Sequence, residues 1–208
     1  MANVKASTHP LIQHKLARLR DVATRPQEFR GLVRELSTLL AYEATASLAL
    51  RDVPVTTPLR AIVGKALADT IGIVPILRAG LGMADGVLEL IPEAEVWHLG
   101  MFRDELTLRP TEYYNKLPRN SRITLALVLD PMLATGGSAV RACEVVKQSG
   151  VDRIAVISLI AAPEGIDVFT NAMPDVSVHV GVIDECLNEH GFIVPGLGDA
   201  GDRQFATL

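Results

Sequence analysis

One tract narrows the possible folds more than any other. Ile123-Thr124-Leu125-Ala126-Leu127-Val128-Leu129 is an apolar, partly β-branched run that reads as a buried strand. Asp130-Pro131-Met132-Leu133-Ala134-Thr135-Gly136-Gly137-Ser138 follows it, and then Ala139 to Ser149, where Val140, Cys143, Val146 and Lys147 recur at helical spacing. The order is strand, acid, short loop, two glycines, hydroxyl, helix. A loop of this kind turns free backbone N–H groups and the positive end of a helix towards one point, which suits a phosphate. Gly136 and Gly137 let the backbone come close, and Thr135 and Ser138 add hydroxyl donors. Asp130 would repel a phosphate and is better placed to accept hydrogen bonds from sugar hydroxyls. Phosphate plus ribose is the simplest ligand that needs both.

A second junction repeats this logic. Ile71-Gly72-Ile73-Val74-Pro75-Ile76-Leu77 reads as a strand, runs into Arg78-Ala79-Gly80-Leu81-Gly82, and continues as a helix from Met83 to Leu90. In an open parallel sheet, loops at the carboxyl ends of strands share one crevice, so the two junctions can face one ligand. Arg78 is then a fixed cation suited to a pyrophosphate. Helical stripes are expected over Pro10–Leu19 and from Pro26 to about Leu50, with edge strand and turn over Val53–Val63. Further strands are expected at Val96–Phe102, Arg153–Ala161 and Val176–Ile183, with a helix from Pro163 to about Ala172. Leu106 to Leu117, carrying Tyr113 and Tyr114, reads as a protruding β-hairpin arm whose apolar side chains favour subunit contact. The alternation predicts an α/β fold: a parallel sheet flanked by helices, forming a single domain over residues 1–208.

Composition removes several classes. With 20 basic against 24 acidic residues, a net charge of −4 and no basic run, the chain has no field to hold nucleic acid. No apolar run is long enough to span a bilayer, so no membrane role is expected. Cys143 and Cys186 fall in no metal-ligand pattern and read as thiols of a reduced, cytoplasmic protein. A mean hydropathy of +0.27 agrees with some apolar surface being covered by another subunit.

The carboxyl-terminal stretch Asn188 to Arg203 holds four closely spaced glycines and a proline, which argues against a regular element. Phe192, Ile193, Val194 and Leu197 are too apolar for a solvated tail, so a folded hood loop is expected. Its exposed backbone N–H and C=O groups can hold a flat heterocycle with alternating donors and acceptors, such as the O4, N3–H and O2 edge of uracil. Cytosine would put donor against donor there.

Asp130 to Ser138 resembles the phosphoribosyl-pyrophosphate (PRPP) loop of the type I phosphoribosyltransferases, with Leu129 where many members carry a second acid. Pro75-Ile76-Leu77-Arg78-Ala79-Gly80-Leu81-Gly82 resembles the pyrophosphate loop of the uracil-specific branch, and Gly191 to Arg203 its base-recognition loop. His9, His14 and Lys15 resemble the branch's opening motif, whereas Ala46-Ser47 departs from its usual Arg-Asp. The resemblance spans nearly the whole chain. It implies transfer of the 5-phosphoribosyl group of PRPP to N1 of uracil, giving UMP and pyrophosphate. It implies PRPP contacts by Arg78, Arg103, Asp130, Pro131, Met132, Leu133, Ala134, Thr135, Gly136, Gly137, Ser138 and Asp199, and uracil contacts by Ile193, Gly198, Asp199 and Ala200. Asp199, Arg78 and Arg103 take the catalytic roles. Mg²⁺ is implied as cofactor, bound chiefly through PRPP, with no residue assigned as its direct ligand. A homodimer or higher homo-oligomer and a GTP effector, known in some relatives, are also implied. The alternative is a pyrimidine-sensing RNA-binding regulator on the same fold, which the missing basic face disfavours.

Overall fold

The computed structural model describes residues 3–103, 110–118 and 121–207. In chain order the elements are β1 (Val4–Ala6), α1 (Pro10–Arg20), α2 (Pro26–Ala44), β2 (Leu50–Thr56), β3 (Ala61–Leu67), β4 (Ile71–Leu77), α3 (Leu81–Leu90), β5 (Glu95–Val96) and β6 (Leu99–Arg103). Then follow β7 (Pro110–Asn115), β8 (Leu125–Leu129), β9 (Met132–Leu133), α4 (Gly137–Gln148), β10 (Ile154–Ala161), α5 (Pro163–Ala172), β11 (Ser177–Ile183), β12 (Cys186–Leu187), β13 (Ile193–Val194) and α6 (Ala200–Phe205). The main sheet runs β1-β11-β10-β8-β4-β6-β7, with β5 beside β4 and β9 beside β10. All its pairings are parallel except β6 with β7.

The unbroken apolar runs seen in the sequence are buried on both faces, as a parallel sheet under two helical layers requires. Leu125, Leu127 and Leu129 of β8 pack with side chains of α1, α2 and α3, including Leu16, Leu36 and Met83. Ala126 and Val128, pointing the other way, pack with α4 and α5 through Ala142, Cys143 and Phe169. From β4 the chain goes by α3 to β6 on one side, while β8, on its other side, leads by α4 to β10. Strand order therefore reverses between β4 and β8, and the loops after these two strands open at the switch point of the sheet.

Three expectations change. Helix α2 stops at Ala44, with the Thr45 N–H bonded to the Ala41 carbonyl, rather than continuing to Leu50. The segment expected as edge strand and turn is a full antiparallel hairpin, β2–β3, paired from Leu50–Leu67 to Thr56–Ala61 as a sheet of its own. Pro54 is tolerated because a two-stranded ribbon has free edges on both strands. In place of a hairpin contained within Leu106–Leu117, β7 pairs antiparallel with β6, which begins at Leu99; residues 104–109 lie outside the described residues.

Candidate active site

The loop after β8 is built in two parts. Pro131 and Leu133 are buried, and their carbonyls accept from the Leu159, Ile160 and Ala162 N–H groups, which ties the first half of the loop to β10. Ala134 to Ser138 then turn over into α4. Gly136, the residue before the helix, has φ 80°, and a Cβ there would stand 2.7 Å from the Gly165 carbonyl oxygen. Glycine is required on both counts. The first N–H groups of a 12-residue helix have no acceptor of their own, so α4 presents them, with the Thr135 and Ser138 hydroxyls, to whatever fills the loop. A small pocket at this place is lined by Asp130, Met132, Ala134, Thr135, Gly136 and Ser138, among others. Burial pushes the Asp130 carboxyl up to about 7, against a weak lowering by the Met132 N–H 3.4 Å away. Among the described residues no cation offsets that burial, the setting of a carboxyl suited to polar hydrogen-bond partners rather than to an ion pair.

The loop after β4 lies directly against this one. A Cβ on Gly80 would sit 2.5 Å from the carbonyl oxygen of Leu129, the residue before Asp130. The Leu77–Arg78 peptide is cis. Arg78 is exposed, and its guanidinium meets Asp202 of α6 at 3.2 Å. The same helix closes over the loop: buried Gln204 donates to the carbonyls of Ala79 and Ala200, both at 3.0 Å. Around Gly201, a Cβ would find Asp199 Oδ1 at 3.2 Å, Arg78 Nη2 at 3.7 Å and Ala79 Cβ at 3.9 Å. The carboxyl-terminal loop and the Arg78 loop therefore meet, and the Arg78 loop in turn adjoins the phosphate-type loop.

Within the carboxyl-terminal segment, Ile193 is buried on β13, paired with Leu187. Gly198 is exposed with φ 79°, and Ala200 is buried. The segment is more regular than its composition predicted, because β12 and β13 form a short ribbon and α6 begins at Ala200. Asp199 caps that helix, accepting the Asp202 N–H at 2.9 Å. One oxygen of the expected catalytic carboxylate is thus engaged, which fixes the direction of the other. Arg103 ends β6, and its side chain lies outside what is described.

Residues 6–207 match the family model described as uracil phosphoribosyltransferase. The chain belongs to the uracil phosphoribosyltransferase family. A uracil phosphoribosyltransferase of Roseiflexus sp. (strain RS-1) is 58% identical over 207 residues, covering 100% of both chains. That of Dictyoglomus turgidum is 52% identical over 200 residues, 96% of this chain and 97% of its own. A solved structure of a protein from Aquifex aeolicus superposes with a TM-score of 0.94 at 38% identity, covering 98% of each chain. A hypoxanthine-guanine phosphoribosyltransferase from Bacillus anthracis shares the fold at a TM-score of 0.52 and 11% identity, over 76% of this chain and 80% of its own.

Sequence reasoning missed the residues that support the family's motifs. Asp202 and Gln204 carry no signature, although the Asp199–Asp202 spacing is that of a capping acid followed by an acid in the first turn. Arg20 and Asp184 are 164 residues apart and had no local signal at all.

Proposed function

We infer that the protein transfers the 5-phosphoribosyl group of PRPP to N1 of uracil, releasing pyrophosphate and forming UMP. The observation that carries this reading is the full-length family match, supported by the three motif-bearing loops meeting at the switch point of the sheet. In the proposed assignment the amides and hydroxyls of Thr135 to Ser138 hold the 5′-phosphate, with Pro131 to Ala134 shaping the loop. Asp130 accepts from the ribose hydroxyls, and Arg78 with Arg103 steadies the leaving pyrophosphate. Ile193, Gly198 and Ala200 present backbone groups to the edge of uracil, while Asp199 faces both base and ribose. As pyrophosphate departs from C1, positive charge grows on the sugar, and the carboxylate of Asp199 is assigned to stabilise it or to take the N1 proton.

Asp130 and the ribose hydroxyls it would hold offer hard oxygen donors, which fits Mg²⁺ bound mainly through PRPP. No group of three or more His, Cys, Asp or Glu side chains gathers into a metal site among the described residues. When bound, such an ion neutralises charge on the pyrophosphate. An assay of UMP formation from uracil and PRPP, run beside cytosine, hypoxanthine and adenine, tests the assignment. Turnover restricted to uracil supports it, and turnover of a purine instead overturns it.

The rival RNA-binding reading gains no support from these matches. We propose that residues 1–208 act as one domain and that the enzyme is a homo-oligomer. Exposed Leu50, Ile62, Val63 and Leu67 on the β2–β3 hairpin support the latter. Light scattering giving a mass above 22.4 kDa is the expected result. Free Cys143 and Cys186 agree with a cytoplasmic location, which cell fractionation tests. No described helix is long and apolar enough to cross a membrane. Titration with GTP at sub-saturating PRPP decides whether it is an effector.

A further inference from the structure

Between β13 and α6 the stretch from Pro195 to Asp199 forms no regular element and includes Gly196 and Gly198 at positive φ, so its position depends on contacts from outside it. Two arginines supply these from the far side. Arg20, the last residue of α1, meets Asp184 in a two-pronged ion pair, Nη2 to Oδ1 at 2.5 Å and Nη1 to Oδ2 at 2.9 Å. The carboxylate of Asp184 is buried, with 3% of its side chain exposed. The pair grips one peptide turn from both sides. Asp184 Oδ2 accepts the Gly196 N–H at 3.1 Å, and Arg20 Nη1 donates to the Gly196 carbonyl at 2.7 Å. Gly196 has φ 62°, and a Cβ there would lie 2.1 Å from the Ile193 carbonyl oxygen, so the turn is tight as well as held. Arg203 adds a second strap from the other end of the loop. It donates to the carbonyls of Leu19 and Leu197 at 2.8 Å and of Asp21 at 2.6 Å, with its guanidinium 4.4 Å from the centre of the Phe29 ring.

We propose that Arg20 and Asp184 are positioning residues for the uracil half of the site, acting through Gly196 on the backbone of Gly198 to Ala200. This rests on the uracil reading given above. Among the described residues, none of the bonds made by Arg20 or Asp184 reaches Arg78 or the loop from Asp130 to Ser138. Loosening the clamp therefore shifts the base-contacting backbone, while Arg78 and the loop from Asp130 to Ser138, which carry most of the assigned PRPP contacts, keep their places; Asp199 is the one PRPP contact that moves with the base loop. A displacement of about 1 Å in a positioning element is enough to cost on the order of a hundredfold in catalytic efficiency.

The test is steady-state kinetics of the full-length protein with each substrate varied in turn, for the parent, Arg20→Met, Arg20→Lys and Asp184→Asn. Arg20→Met is expected to raise KM for uracil by about tenfold or more, with KM for PRPP within about threefold of the parent. Arg20→Lys restores part of the loss, since an ammonium pairs with Asp184 yet cannot span both of its oxygens and the Gly196 carbonyl. Asp184→Asn removes the charge pairing and raises KM for uracil in the same selective way. Should Arg20→Met fail to fold because its buried carboxylate is left unpaired, Arg20→Lys and Asp184→Asn decide the matter alone. Unchanged KM for uracil in folded variants, or an equal rise for both substrates, overturns the proposal. A parent that makes no UMP would instead sink the reaction assignment, so the two failures are told apart.

Discussion

Asp130 shows how a single residue can be unfavourable for the fold and useful to the site. Its folded pKa of about 7 lies above the value of about 3.9 of a free aspartate, so folding disfavours its charged form. Stability from this group is complete below about pH 4 and is lost as the pH rises through about 7. Asp130→Asn carries no charge in either state. The melting temperature of the variant is therefore expected to gain on the parent between about pH 4 and pH 7 and to hold that gain above it, measured without ligand. The same variant is expected to lose about tenfold or more in PRPP affinity, because the acceptor proposed for the ribose hydroxyls is weakened. Calorimetric titration with PRPP checks this, and unchanged affinity would remove the assigned role. The acid at the end of an apolar strand was legible in the sequence, but its burial away from the described cations was not, since that depends on neighbours from other parts of the chain.

At the scale of elements, the junctions after β4 and β8 were readable because strand, turn and helix signals are all local. Two glycines there carry different constraints. Gly136→Ala puts a side chain at a positive φ and against the Gly165 carbonyl, at a cost of about 1–3 kcal/mol from backbone strain alone. KM for PRPP is expected to rise while the folded loop from Ile193 to Ala200 keeps its protection in hydrogen exchange. Gly80 has an ordinary φ of −64°, yet a Cβ there would meet Leu129 O, Ile76 N and Ile76 O at 2.5–2.7 Å, all backbone atoms that cannot turn aside. Gly80→Ala is expected to separate the two loops and lower activity with both substrates saturating. The end of α2 and the β2–β3 hairpin were misread for a common reason. Apolar residues such as Leu48, Leu50 and Val55 continue a plausible pattern, while the competing bonds that open the ribbon, from the Ala68 N–H to the Ala49 carbonyl and between Leu50 and Leu67, join two separate segments.

Across the whole molecule, the two ends of the sheet have different work. The carboxyl ends of β4 and β8 carry the proposed site. At the amino ends, the side chain of Asp69 accepts the Ala49 N–H at 3.1 Å, the Thr124 hydroxyl at 3.0 Å and Arg153 at 2.5 Å, joining the starts of β4, β8 and β10. Burial would raise its pKa, but these three partners together hold it below the usual carboxylate range. Asp69→Ala is expected to lower stability by about 1–3 kcal/mol in urea denaturation, with kcat/KM unchanged at a temperature where the variant is folded. A matching loss of kcat/KM would show that the two ends are coupled.

The residue order alone determined the buried strands β4, β8, β10 and β11, most of the helices that flank them, and which loops carry donor groups suited to phosphate, pyrophosphate and base. Those properties depend on periodicity, turn residues and donor groups within a few positions of one another. Tertiary structure decided that Arg78 meets Asp202, that Gln204 bridges Ala79 and Ala200, and that Arg20 and Asp184 hold Gly196. Each such contact joins residues that become neighbours only when the sheet brings distant strand ends to one edge, and a pattern within one segment carries no record of that path.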